Sequence, residues 1–228
     1  MTPSLGNASK GNSVASMVIV GAGGFGREVL EMCKDRNKIS KTWDILGFID
    51  ENRELHGKMI NGYPVLGGLD WLREHNNNNL GCVCAIGTCE TRKQVVERLQ
   101  EIGVNFYNAI HPSVIMSEFV QLGRDVIICA GSILTVNIKI GDHVHIDTNC
   151  TIAHDAVIGD YCRLNPGVTI NGNDHLGEGV YVGTGATFIQ EVSVGSWSTI
   201  GAGTVVIEDI PEKVVAVGVP AKVIERKE

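Results

Sequence analysis

IGDHVHIDTNCTIAHDAVI, residues 140–158, is the stretch on which the fold turns. Ile140, Ile146, Ile152 and Ile158 stand six residues apart. Counting by sixes in both directions meets an apolar side chain every time from Ile110 to Val206, seventeen positions without a break. If roughly 45% of positions in an average chain are apolar, chance gives such a run on the order of once in a million. Six fits neither the 3.6-residue helical turn nor the two-residue alternation of a strand, and fixed-period self-similarity is the mark of a solenoid. Gly123, Gly141, Gly159, Gly177 and Gly195 recur every eighteen residues, so three hexads make one coil. Each coil is expected to turn its corner on the conformational freedom of glycine. The fourth residue after each ladder position is mostly small or Val (Val126, Ser132, Val144, Cys150, Ala156, Cys162), as a narrow interior requires. A parallel β-helix is therefore predicted over residues 110–228.

The remainder of the 228 residues leaves room for a second, smaller domain. A net charge of -7 without a Lys/Arg cluster argues against nucleic acid or an anionic membrane as principal partner. Seven cysteines, an odd number without a CxxC pair and several of them in apolar runs, fit reduced thiols in a cytoplasmic protein better than a disulfide framework. No segment approaches the ~18 apolar residues of a membrane span. Residues 1–16, rich in Gly, Ser and Asn, lack the apolar core of a signal peptide and read as a flexible tail.

Residues 17–109 read as a small Rossmann-like α/β domain. The apolar strand Met17 to Val20 runs into Gly21-Ala22-Gly23-Gly24-Phe25-Gly26, and a helix is expected from Arg27 to about Asp35. Glycines let backbone approach a phosphate, and a helix N-terminus supplies unpaired N–H groups; the same loop also fits a tight turn of purely structural use. A second strand, Ile45 to Ile49, ends in Asp50-Glu51, where a Rossmann unit places its ribose-reading acid. Strand Cys82 to Ile86 then points Gly87 at the same crevice. About ninety residues make only one mononucleotide half, so a nucleoside diphosphate carrying something other than a second nucleoside fits best, and a nicotinamide dinucleotide is disfavoured.

Polar side chains in so regular a repeat invite individual weighing. Of His143, His145, His154 and His175, none stacks on another at the eighteen-residue spacing, which argues against a metal site. His154 is followed by Asp155. A carboxylate beside an imidazole can fix its tautomer and suit it to general-base work. Neighbours on an extended segment face opposite ways, so the pair needs a coil corner. Spacing alone equally describes a surface histidine beside a solvated aspartate.

The motifs Gly21-Ala-Gly-Gly-Phe-Gly26, Gly47-Phe-Ile-Asp50, Ala85-Ile-Gly87, Ile110-His-Pro-Ser113, Ile152-Ala-His-Asp155 and Val217-Gly-Val-Pro-Ala-Lys222 together resemble the sialic acid O-acetyltransferase-like, or sugar O-acyltransferase, family. Within it they are most similar to bacterial nucleotide-amino-sugar N-acetyltransferases. These use acetyl-CoA to acylate a 4-amino-4,6-dideoxy sugar on UDP or dTDP for surface glycans. The resemblance implies a left-handed β-helix and a homotrimer with active sites between neighbouring helices. It implies His154 as base with Asp155 as its partner, and Gly23, Gly24 and Phe25 as backbone holding the nucleotide-sugar. Asp50 and Glu51 are implied to read base or ribose, and Asp147 or Asn149 to meet the sugar amine. Arg163, Thr184 and Ala202 are implied along the coenzyme A groove, with backbone at Asn171, Gly172 and Asn173 receiving the thioester oxygen. No metal is implied.

Two departures stand out. Phe25 replaces a histidine found in some relatives, and Asp174 takes a position that is small or Val elsewhere, so residues 171–174 are expected to bulge. Two other readings keep the fold. One is a sugar O-acetyltransferase, and the other a non-catalytic nucleotide-binding trimeric scaffold.

Overall fold

The computed structural model describes residues 14–227, so most of the expected tail lies outside the described residues. Strand β1 (Ala15–Val20) begins two residues before the expected start at Met17. Ala15 and Ser16 pair with Trp43 and Asp44, and the Ser16 N–H donates to Asn79 O. Then follow α1 (Gly24–Ile39), β2 (Trp43–Ile49), the short hairpin β3 (Met59–Ile60) and β4 (Tyr63–Gly67), α2 (Leu69–His75), β5 (Leu80–Cys84), α3 (Cys89–Ile102) and β6 (Asn105–Phe106). The sheet order is β3-β4-β2-β1-β5-β6, parallel except for β3. Met17 and Ile19 pack in one apolar cluster, Val18 and Val20 in another, because helices cover both faces of a parallel sheet. That is why Met17 to Val20 reads as an unbroken apolar run. Helix α1 starts at Gly24, earlier than Arg27, because the loop glycines themselves make its first turn. A side chain on Gly26 would collide with Gly21 O.

The seventeen ladder residues are each the second member of a two-residue strand, from Ala109–Ile110 to Val205–Val206. The strands form three parallel sheets, the faces of a left-handed triangular prism, and each residue pairs with the one eighteen later, as Ile127 with His145 and His145 with Arg163. Ladder side chains from Ile128 onward are buried in one continuous core with the small fourth residues between them. The corner glycines, however, do not turn the corners. Every sixth residue from Asp125 to Gly203 has φ between 56° and 76°, whereas none of the five corner glycines lies in that left-handed region. Their lack of a side chain serves close stacking: a Cβ on Gly159 would lie 2.7 Å from the Gly177 carbonyl carbon of the next coil. Residues 171–174 do not bulge. Asn173 takes the usual corner φ of 61°, and the buried Asp174 carboxylate accepts from the N–H groups of Asn171 (2.8 Å) and Val192 (3.1 Å).

The α/β domain packs on the first face of the prism, whose outward Ala109, Ile127 and Cys129 join its apolar core. At the far end of that face, Val214–Val217 is met by the antiparallel strand Lys222–Arg226. All seven cysteines are buried and unpaired, and burial pushes the thiols of Cys33, Cys150 and Cys162 up to about 12, which leaves them poor nucleophiles. Among the described residues no helix is long and apolar enough to cross a membrane, and no group of three His, Cys, Asp or Glu side chains is placed to hold a metal.

Candidate functional site

The order of the α/β sheet reverses between β1 and β5, and ligands of open α/β sheets bind at such a switch point, beyond the carboxyl ends of the strands. Two loops flank it here: Gly21 to Gly23 after β1, and residues 85–88 after β5. Gly21 takes φ 103°, which suits glycine, and its N–H donates to Ile49 O. Asp50, at the end of β2, accepts from Ala22 N at 2.9 Å and from Asn52 N at 2.9 Å, so it braces the glycine loop. Glu51 accepts from Leu69 N at 2.9 Å and thereby caps α2. Both acids sit at the expected rim, with their hydrogen bonds directed to backbone. Gly23 and Gly24 are exposed, and the first turn of α1 has no side-chain cap.

The β-helix closes this crevice with Arg163. Its guanidinium carbon lies 4.5 Å from the Phe25 ring centre, its Nη1 occupies the space a side chain on Gly87 would need, and Nη2 donates to Asp147 Oδ2 at 2.8 Å. Asp147 is buried, and desolvation pushes its carboxyl above the usual range while Arg163 opposes that shift. Phe25 also leans on His145, ring centres 5.0 Å apart. A groove of about 530 Å³ opens beside these groups, lined by Gly87, Thr88, Arg163, Asn165, Tyr181 and Thr199 among others.

Behind the crevice lies a polar seam that the sequence reading missed. Arg92 of α3, wholly buried, donates to Ile86 O, Cys162 O and Tyr161 O and to His145 Nδ1. Arginine only donates, so His145 Nδ1 accepts and Nε2 carries the proton given to Cys84 O at 2.9 Å. The Cys84 N–H is held by Asp125, whose other oxygen meets His143 Nδ1 at 2.9 Å. The available signal was the spacing of Cys89, Arg92, Val96 and Leu99, which places an arginine within the buried stripe of α3.

His154 and Asp155 lie on a different edge. Asp155 has the corner φ of 61°, which turns the two neighbouring side chains together, His154 Nδ1 to Asp155 Oδ2 at 2.9 Å. Asn137, one coil earlier, donates to Asp155 Oδ1 at 3.3 Å. A carboxylate accepts, so in the neutral imidazole Nδ1 carries the proton and Nε2 presents its lone pair. The ring lies over Gly172: a Cβ there would come within 2.7 Å of Nε2. Thr184 and Ala202 are exposed and stack one coil apart on the edge between the first and second faces, the Gly203 N–H donating to Thr184 O. Apart from Thr184 and Ala202 on that edge, the named residues form two groups. Gly23, Gly24, Phe25, Gly87, Asp147 and Arg163, with Asp50 and Glu51 at the rim, converge on the crevice. His154, Asp155 and Gly172 share the edge between the second and third faces, the one edge that the domain-bearing first face does not touch.

A switch-point crevice closed by a left-handed β-helix is the architecture of a hexapeptide-repeat transferase with a nucleotide-binding front domain. The PglD N-terminal domain family matches residues 16–99, and the bacterial transferase hexapeptide (six repeats) family matches residues 137–172. Among solved structures, a variant of perosamine N-acetyltransferase from Caulobacter crescentus, in complex with CoA and GDP-perosamine, is 31% identical over 93% of this chain and 98% of its own, with a TM-score of 0.84. The acetyltransferase domain of PglB from Neisseria gonorrhoeae, in complex with acetyl coenzyme A, is 28% identical over 93% and 100%, TM-score 0.85. WeeI from Acinetobacter baumannii is 32% identical over 91% and 99%, TM-score 0.82. Comparison with curated protein sequences gave no match. The chain belongs to the hexapeptide-repeat sugar acyltransferases, in the branch of nucleotide-amino-sugar N-acetyltransferases, and is an acetyl-CoA-dependent enzyme of that family.

Proposed function

We propose that this enzyme moves the acetyl group of acetyl-CoA to the amine of a nucleotide-linked 4-amino-4,6-dideoxy sugar, in the cytoplasm and for surface glycans, with His154 as general base. The observation that carries the reading is the His154–Asp155 pair, 2.9 Å apart on an exposed corner and leaving Nε2 as the lone-pair nitrogen. The sugar amine attacks the thioester carbonyl, a C–N bond forms, the C–S bond breaks, Nε2 takes the proton lost by the amine, and coenzyme A leaves as its thiol or thiolate. A thioester is already activated, so no enzyme nucleophile is required. The Asn171 and Asn173 N–H groups are already given to Asp174 Oδ2 and His154 O, so the Gly172 N–H between them is the candidate to stabilise the oxyanion, an interaction worth ~3 kcal/mol in comparable sites. The crevice takes the nucleotide; Thr184 and Ala202 follow the coenzyme.

Because crevice and base lie on different sides of one prism, the reaction requires His154 from a second copy, which supports the homotrimer with sites between subunits. The acceptor's base is drawn from UDP, dTDP and the guanosine nucleotide bound by the Caulobacter relative. The test is an acetyl-CoA assay against UDP-, dTDP- and GDP-linked 4-amino sugars beside free sialic acid. Transfer to a nucleotide-linked amine is expected, and acetylation of sialic acid alone would replace the reading with O-acetylation. His154→Ala should lower kcat ~100-fold or more with little change in substrate affinity; a variant with full turnover would remove His154 from the chemistry.

A further inference from the structure

Resemblance assigns Arg163 to coenzyme A, yet its surroundings point elsewhere. Resting on the acceptor reading above, we infer that Arg163 binds the diphosphate of the nucleotide-sugar, delivered from the β-helix into the crevice of the α/β domain and held there by Asp147.

The guanidinium lies against both loops of the switch point at once, stacked over Phe25 after β1 and pressed on Gly87 after β5. Helices α1 and α3 start from these loops, and neither Gly23 nor Thr88 makes a side-chain cap, so both helices present unpaired N–H groups and partial positive charge. Arginine adds a full charge on a planar fork that matches paired phosphate oxygens. One N–H of that fork is committed to Asp147. Nη1 makes no hydrogen bond among the described residues, and Nε is buried without a partner. Arg163 lines the 530 Å³ groove beside Gly87, so its side chain borders the space a ligand would enter.

Two details separate this role from the implied one. Thr184 and Ala202 lie one and two coils on, along the edge between the first and second faces, whereas the guanidinium lies against Phe25 and Gly87 of the α/β domain. Asp147, with 7% of its side chain exposed, gives Oδ2 to Arg163 and keeps Oδ1 buried without a partner, so it orients that fork from within the fold. It is a positioning residue. Gly87 belongs to the same device, because a side chain there would displace Nη1.

The experiment is calorimetric titration of the full chain with UDP, dTDP, GDP and coenzyme A separately. The proteins are wild type, Arg163→Met, Gly87→Ala and Asp147→Asn. Arg163→Met is expected to weaken the preferred nucleoside diphosphate about tenfold or more and to leave coenzyme A within about twofold. Gly87→Ala should act in the same sense and decides the matter if Arg163→Met does not fold. Asp147→Asn should give a smaller loss with the same ligand split, which mere loss of structure would not produce. Weakened coenzyme A with unchanged nucleotide, or no change in either, overturns the inference while the acceptor reading stands. A wild type that binds coenzyme A but none of the three nucleotides overturns the acceptor reading, and the role of Arg163 falls with it.

Discussion

Arg92 Nη1 donates to His145 Nδ1 across 3.0 Å, from a helix of the α/β domain into the first face of the β-helix. That bond fixes the tautomer of His145, ties α3 to the coil that carries Asp147, and backs the glycine loop through Phe25. The seam thus sets how the switch-point crevice sits on the prism.

Removal of the guanidinium should be costly. Arg92→Met leaves three buried acceptors (Ile86 O, Tyr161 O and His145 Nδ1) without the donor they share, for a loss of about 3 kcal/mol or more. Urea denaturation of wild type and variant measures it. A loss below about 1 kcal/mol would mean that water replaces the side chain and the seam is not what joins the domains.

Acidification should weaken the same seam. His145 titrates well below its ordinary 6.5, first because it is buried and then because Arg92 and Arg163 repel its charged form. As pH falls through 6.5 the unfolded chain takes up a proton there that the folded chain refuses, so this stability is full above 6.5 and lost below it. Asp125, Asp147 and Asp174, raised by burial, work in the opposite sense: the folded chain binds their protons first, favouring the fold below 3.8 and losing that advantage as pH rises through their raised values. They titrate in wild type and in His145→Gln alike. The fall in Tm between pH 7.5 and 5.5 is therefore expected to be smaller in His145→Gln, and equal slopes would contradict the assignment.

Gly172 tests what the corner is for. Its missing side chain makes room for the His154 ring, so Gly172→Ala should displace the imidazole and lower kcat about tenfold or more. Coenzyme A affinity should hold. If affinity drops and kcat survives, the glycine serves the thioester as family likeness implies.

Asp155 and Asn137 form a graded series. Asp155→Asn keeps an acceptor for Nδ1 but removes the charge, and should reduce kcat about tenfold or more. Asn137→Ala removes only the 3.3 Å brace on the far carboxylate oxygen and should cost a few-fold, roughly. In both variants the loss should fall on kcat with KM little changed, and it should be larger in the first.

Much of this was legible in advance, because burial of every sixth side chain is a constraint that sequence must display. The left-handed corners were harder. Asn, Asp and Gly fill many of them, but His143, Tyr161, Glu191 and Trp197 occupy the same φ, so composition hides the pattern. The eighteen-residue spacing also sets polar pairs: Arg124 with Asp142, Asp125 with His143, and Asn137 with Asp155 are all coil-to-coil partners at that separation. The placement of Arg163 against Phe25 could not be read, since it depends on how one domain docks on the other. Nor could the division of the candidate residues between two sides of the prism, which appears only once faces and edges are assigned.

A parallel ladder leaves an open row of backbone donors and acceptors at its last rung, and in principle the next molecule could continue it. Here Val214–Val217 is met by a strand running the other way, Lys222–Arg226, whose side chains are exposed and largely charged. Reversal of direction makes that rung a poor template for another parallel coil. A prism built like a segment of fibre thereby has the last rung of its domain-bearing face closed to a second molecule's coil.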